Sequence, residues 1–260
     1  MSVAACVACG ARYAHGSRPE VCRVCADDRQ YVPDGVQSWT TPEALLDAGH
    51  RLVVAAIEPG LWRVTAEPSV AIGQRGYVVG GADGTVLWDP PALVEAAGLQ
   101  QIRAVSDVVA VAMSHPHYYG AMAEWAAALD VPVLLPEEDI GWVTEPTDRV
   151  VTWSGEHEVL PELRLVRCGG HFPGSAVLHR GEVLLTGDTV QVVRRAATVS
   201  FAYSFPNHLP LATAEVEAVI AAATRRPFRR LYAAFGQIDD DALAVVHRGA
   251  ARYLARLHGD

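Results

Sequence analysis

Three stretches of this chain carry residue types and spacings suited to holding metal ions. Ser114-His115-Pro116-His117 follows the apolar run Val108 to Met113, which reads as a strand. Two histidines one residue apart at a strand end present both imidazoles at one loop, where they reach a single cation. Near the N-terminus, Cys6-Val7-Ala8-Cys9 and Cys22-Arg23-Val24-Cys25 are two CxxC turns separated by twelve residues. Each turn offers two thiolates, and two turns complete a tetrahedral sulfur site. Cys6, Cys9, Cys22 and Cys25 are therefore expected to hold one structural Zn2+, with redox dithiols or disulfides as the alternative. So short a segment has no sufficient core of its own, and metal would supply its folding free energy.

Further along come Cys168-Gly169-Gly170-His171-Phe172-Pro173-Gly174-Ser175 and Leu184-Leu185-Thr186-Gly187-Asp188-Thr189. The succession HxH, GGHxPGS, GD resembles the metallo-β-lactamase fold superfamily, from about Trp39 to the C-terminus. The resemblance implies an α/β fold, a four-layer αββα sandwich, and a metal site built from His115, His117 and His171. Asp188 stands where the family has its bridging carboxylate. Two departures accompany the match. The family motif HxHxDH reads Tyr119 and Gly120 in its last two places, so it is degenerate here. The family's last histidine, after a late strand, is also missing: Arg230 to Phe235 is followed by Gly236-Gln237. One metal site is retained and the second is largely gone.

Three neutral imidazoles leave an open position on a divalent ion, and the ion acidifies the water there. The expected function is a mononuclear metal-dependent hydrolase. A metal-bound hydroxide would attack a small ester, thioester or lactone, with Zn2+ favoured over Fe2+. Asp188 would serve as an axial ligand or general base. Tyr119 either donates a hydrogen bond to an oxyanion or fills the place of the lost metal with an inert ring. His208, on a Pro-flanked loop, is a substitute ligand, a proton shuttle or a solvated loop residue. The resemblance implies that Asp89 supports the metal loop; the alternative is that it opens a turn with Pro90. Cys168, ending an apolar strand, reads as a buried small hydrophobe. Two other functions use the same residues. One is a catalytically retired binding or regulatory scaffold. The other is a single-iron thiol or persulfide oxygenase on His115, His171 and Asp188, a two-histidine, one-carboxylate set.

Composition narrows the partners. The formal net charge of −9 argues against nucleic acid or an anionic membrane, both of which need a positive face. A small-molecule substrate fits better, and the cysteine-rich segment is a candidate surface for a protein partner or self-association. All 21 basic residues are arginine, which excludes lysine Schiff-base chemistry. No run is apolar enough to span a bilayer, and Met1 to Cys6 lacks the pattern of a secretory signal, so a cytoplasmic location is expected. Five cysteines, four in tight pairs, suit metal ligation in a reducing compartment.

The elements that must position these residues follow from hydropathy. Composition changes near residue 35, dividing a zinc ribbon at 1–35 from a metallo-β-lactamase-like domain at 36–260. Thr41-Pro42-Glu43 opens a short helix closed by Gly49. Strands are expected at Leu52–Ile57, Leu61–Val64, Tyr77–Val79 and Thr85–Trp88, with Ala82-Asp83-Gly84 as a hairpin turn. A helix at Ala121–Leu129 precedes strands at Val131–Leu135, Val150–Trp153, Leu163–Cys168, Ala176–His179 and Val183–Leu185. Helices from Thr213 and after Asp241 close the chain, with a late strand from Arg230 between them.

Overall fold

Apolar alternation sorts the strands into two sheets whose faces have different neighbours. The computed structural model describes residues 3–14 and 16–259. One sheet has seven strands, ordered Val150–Trp153, Val133–Pro136, Val108–Ala112, Gly84–Trp88, Gly76–Gly81, Leu61–Glu67 and Arg51–Glu58. The other has six, ordered Glu156–Leu160, Leu163–Arg167, Ala176–Arg180, Val183–Gly187, Arg230–Ala233 and Gln237–Ile238. Successive residues of a strand point to opposite faces. Val79, Val86 and Ala110 therefore join Leu165, Leu178 and Leu185 in a core between the sheets. Their neighbours Val78, Leu87 and Val111 turn outward onto Ile102 and Trp125, from helices Ala96–Val105 and Met122–Leu129. On the other side, Val177, Leu184 and Leu231 meet Val216, Val219 and Val246, from helices Thr213–Ala223 and Ala242–His258. Helix, sheet, sheet, helix is the expected αββα sandwich.

Most expected elements are present, with ends moved by up to three residues. The Thr41 side chain caps helix Pro42–Asp47 as expected, accepting from the Ala44 N–H. Several elements escaped the sequence reading, among them a helix, a polar strand and a hairpin. Helix Ala96–Val105 is capped by the Glu95 carboxylate and contains Gly98, an unusual cap and a poor helix former. Glycine is required there because a Cβ would overlap Leu52. The strand Glu156–Leu160 is polar, and the hairpin Gln191–Val193 with Thr198–Ser200 is broken by Arg194 and Arg195.

The cysteine-rich segment forms a small sheet ordered Arg12–Tyr13, Ala4–Cys6, Trp39–Thr40. Its third strand lies beyond residue 35, so the segment is continuous with the chain that enters the sandwich. It is pressed onto the sandwich by long-range contacts. Buried Arg12 pairs with Glu124 and donates to the Ala92 carbonyl at 3.3 Å. The Asn207 amide donates to the carbonyls of Asp28 (2.8 Å) and Gln30 (3.0 Å), and Ser204 Oγ to that of Arg29 (3.2 Å). No helix among the described residues is long and apolar enough to cross a membrane.

Candidate metal centre

Strand ends deliver the site. Val108–Ala112 carries the chain to His115 and His117, Leu163–Arg167 leads to His171, and Val183–Gly187 ends beside Asp188. Ligand atoms from His115, His117, His171 and Asp188 all lie within 4.8 Å of one another, and all four residues are buried.

The supports fix which ring nitrogen faces inward. His171 Nδ1 donates to the Tyr203 carbonyl at 2.7 Å, leaving Nε2 as an acceptor aimed at His117 Nδ1, 3.3 Å away. Burial pushes His171 down to about 4 and His117 well below its ordinary value, so both rings are neutral near pH 7. His115 Nδ1 pairs with Ser114 Oγ at 2.7 Å. Its buried Nε2 has no hydrogen-bond partner and lies 3.5 Å from Asp188 Oδ2. Burial works to raise the Asp188 carboxyl. The adjacent His115 and His171, with the Gln191 amide, outweigh it and hold Asp188 below its usual range.

Two buried aspartates hold the loops. Asp89 Oδ1 accepts the Ser114 N–H at 2.6 Å, so Asp89 supports the histidine loop as well as opening the turn at Pro90. Desolvation raises it to about 7. Asp139 Oδ1 accepts the Gly174 N–H at 2.9 Å, anchoring the turn that carries His171. The Phe172 ring packs 5.0 Å from the rings of His117 and His171. Gly187 has positive φ, and a Cβ there would overlap Ser114 Oγ.

These residues fit a metal ion. Nitrogens bonded at about 2.0–2.1 Å to a tetrahedral ion sit about 3.3 Å apart, the spacing of His171 Nε2 and His117 Nδ1. Buried, partnerless nitrogen is otherwise costly. The cysteine cluster fits as well: Cys6 and Cys25 sulfurs are 3.5 Å apart, and Cys9 and Cys22 are 3.6 Å apart. Tetrahedral bonds of about 2.3 Å place sulfurs about 3.8 Å apart. Hydrogen bonds among the four sulfurs, that of Cys22 foremost, push the Cys6 thiol far below its ordinary range and the Cys9 and Cys25 thiols above theirs.

The other candidates are placed elsewhere. Tyr119 is buried among Met122, Trp125 and Leu135, with its hydroxyl unpaired. Tyr119 is not among the four residues whose ligand atoms converge. His208 is exposed, at positive φ, in the turn between Ser204 and Leu209, and is not part of the cluster. The loop folds outward to bond the N-terminal segment, which a local sequence reading does not reveal. Cys168 is buried, and desolvation raises its thiol to about 12, so it behaves as a hydrophobe.

Gly120 has a structural cause. A Cβ there would overlap the carbonyl oxygen of Gly10 and crowd its carbon at 2.7 Å. The knuckle after Cys9 thus occupies the space a side chain at 120 would need. Gly120→Ala is expected to loosen the segment from the sandwich, costing about 1–3 kcal/mol by overpacking. Thermal unfolding and faster proteolysis before residue 40 would register it.

Several supporting residues gave no usable sequence signal. Tyr203 acts through its backbone, and Asp139 sits in the ordinary acidic run Glu137-Glu138-Asp139. Gln191 and Arg29 have no motif. Ser114, directly before the HxH pair, was the one with a positional hint.

The sequence matches no family model. It is 38% identical over 266 residues to the uncharacterized protein YmaE of Bacillus subtilis strain 168, covering 98% of this chain and 97% of YmaE. The chain belongs to the YmaE family. Its structure superposes on the DIM-1 metallo-β-lactamase with a TM-score of 0.59 at 13% identity, covering 80% of this chain and 98% of that one. The mono-zinc form of the Pseudomonas aeruginosa metallo-β-lactamase FIM-1 gives a TM-score of 0.53 at 15% identity, covering 77% and 95%. The chain therefore has the metallo-β-lactamase fold, with a four-cysteine group at its N-terminus and the degenerate HxHxDH motif laid over it.

Proposed function

We propose that this YmaE-family chain is a mononuclear metal-dependent hydrolase of a small ester, thioester or lactone. The observation that carries the reading is the convergence of His115, His117, His171 and Asp188 within 4.8 Å, with buried nitrogens lacking other partners. His115, His117 and His171 would hold one ion, with Asp188 beside them. Zn2+ is favoured by the neutral imidazole set, and the mono-zinc form of FIM-1 supports a single ion on this fold. Among the described residues, the only other metal-capable group is the cysteine cluster, so a second ion beside the histidines lacks a ligand set. A divalent ion bound there polarises a carbonyl oxygen and acidifies water.

The chain's own groups divide the remaining work. Asp188, held ionised, takes a proton from attacking water at Oδ2 and returns it to the leaving oxygen or sulfur. Gln191 donates to Asp188 Oδ1 and keeps Oδ2 turned to the cluster. The Tyr203 carbonyl and Ser114 Oγ orient His171 and His115.

The test is a panel of esters, thioesters and lactones against the full chain, with metals counted by mass spectrometry. Hydrolysis with about two zinc ions per chain is expected. Asp188→Asn should lower kcat by about 10²–10⁴-fold with the fold retained. A fully loaded protein that cleaves nothing on the panel would overturn the reading in favour of a binding scaffold. Iron with oxygen uptake would favour oxidation of a thiol compound.

A further inference from the structure

The N-terminal segment does more than stand beside the metal centre. A cavity of about 690 Å³ has His117, His171 and Asp188 in its wall, within the roughly 300–1,000 Å³ typical of small-molecule sites. Val7, Tyr31 and Pro33 of the cysteine-rich segment line it, facing Ile72, Val192 and Phe235 of the sandwich. Val7 lies between Cys6 and Cys9, so the turn that would hold a metal also fixes part of the wall. Apolar side chains left wet here are concentrated. Val7, Tyr31, Ile72 and Val193 are 47%, 53%, 38% and 40% exposed, four of the ten large hydrophobics exposed among the described residues. A clustered apolar surface around buried reactive groups marks a ligand site.

Charge narrows the ligand. Arg29 is the one arginine among the described residues of the wall, and its guanidinium is held against protein groups, though its buried Nε has no hydrogen-bond partner. It pairs with Asp27 at 2.7 Å and lies 4.4 Å from the Phe172 ring and 4.2 Å from the Tyr203 ring. It braces the segment against the turn that carries His171, and with its charge offset by Asp27 the described lining offers an anionic substrate no arginine free of a carboxylate partner. Arg194 and Arg195 are exposed and outside the wall.

We propose that the cysteine-rich segment is one half of the substrate pocket, and that the pocket takes a neutral ester or lactone bearing a medium-length hydrocarbon chain. The reacting carbonyl lies at the histidine cluster and the chain lies between the two apolar walls. This rests on the hydrolase reading for the identity of the reacting group, but binding can be measured without turnover.

The experiment titrates a decyl dansylamide, fluorescent in apolar surroundings, into the full chain and into Val7→Glu, Tyr31→Glu and Ile72→Glu. These side chains are partly exposed, and Ile72 lies outside the cysteine-rich segment, so a folding defect in one wall leaves the other as a probe. Saturable binding is expected in the native chain, weakened about tenfold or more in the variants at unchanged metal content. A decanoyl lactone should displace the dye, and an acetyl ester should not. Equal affinity in native chain and variants, or stronger displacement by an acyl-coenzyme A than by the neutral lactone, would overturn the proposal. Dye binding as expected with no ester cleaved would sink the hydrolase reading and leave the pocket standing. Cleavage indifferent to chain length, unaltered in the variants, would do the reverse.

Discussion

Replacing His117 with alanine is expected to reduce bound metal from about two ions per chain to about one, leaving the cysteine site loaded. His117 is buried, and its Nδ1 lies 3.3 Å from His171 Nε2. Its removal takes one of three imidazoles and leaves His115, His171 and Asp188 to hold an ion with a gap in the ligand set. Losing a Lewis acid worth several kcal/mol corresponds to a fall of about a thousandfold or more in hydrolysis. The backbone should hold, because the loop is fixed by groups other than this ring: Asp89 accepts the Ser114 N–H, and Tyr118 Oη donates to the Arg75 carbonyl at 3.3 Å. His208→Ala is the matched control. His208 is exposed and outside the cluster, so metal content and rate should match the native chain. Unchanged metal in His117→Ala would remove the histidine site from consideration.

Cys22→Ser is expected to release the other ion and open the N-terminal segment. That segment's buried cluster is Cys6, Cys9, Ala11, Tyr13, Cys22, Val24 and Cys25, so the sulfurs are most of what holds it together. Cys22 is fully buried, 3.6 Å from Cys9 Sγ and 3.4 Å from the Tyr13 hydroxyl. Structural zinc contributes on the order of 10 kcal/mol to segments of this size, so losing one of four ligands outweighs the docking contacts. The expected outcome is about one ion per chain, rapid proteolysis before residue 40, and loss of apolar-probe binding as Val7, Tyr31 and Arg29 leave the cavity. The histidine cluster should keep its ion, since its four residues come from the sandwich. Metal counting and limited proteolysis on the same sample decide this. Full metal content with native resistance would mean the sulfurs hold nothing that matters to the fold.

The two sites differ in how much of them could be read along the chain. HxH and CxxC place donors one or three residues apart, where a single turn decides whether they converge. Alternating runs such as Val183–Gly187 and Val108–Ala112 fix which face meets the core, because strand periodicity is local. Those features made the four cysteines, the His115 and His117 pair and most strands accessible before any coordinates, while the αββα layers and the joining of His171 and Asp188 to that pair came from the resemblance to the metallo-β-lactamase fold. Helix Ala96–Val105 was hidden because its glycine answers to Leu52, more than forty residues earlier in the chain.

The seat of the cysteine-rich segment was decided by tertiary structure alone. Arg12 with Glu124, Gly10 against Gly120, and Asn207 with Asp28 join residues far apart in sequence. Each such contact is small, and only their sum over a shared surface selects one docking geometry. The same packing made Gly120 a necessity, drew His208 away from the site and turned Arg29 into a brace beside it. Local chemistry, read with the family resemblance, named the ligands. The shape of the space in front of them came from long-range packing, which no short stretch of residues encodes.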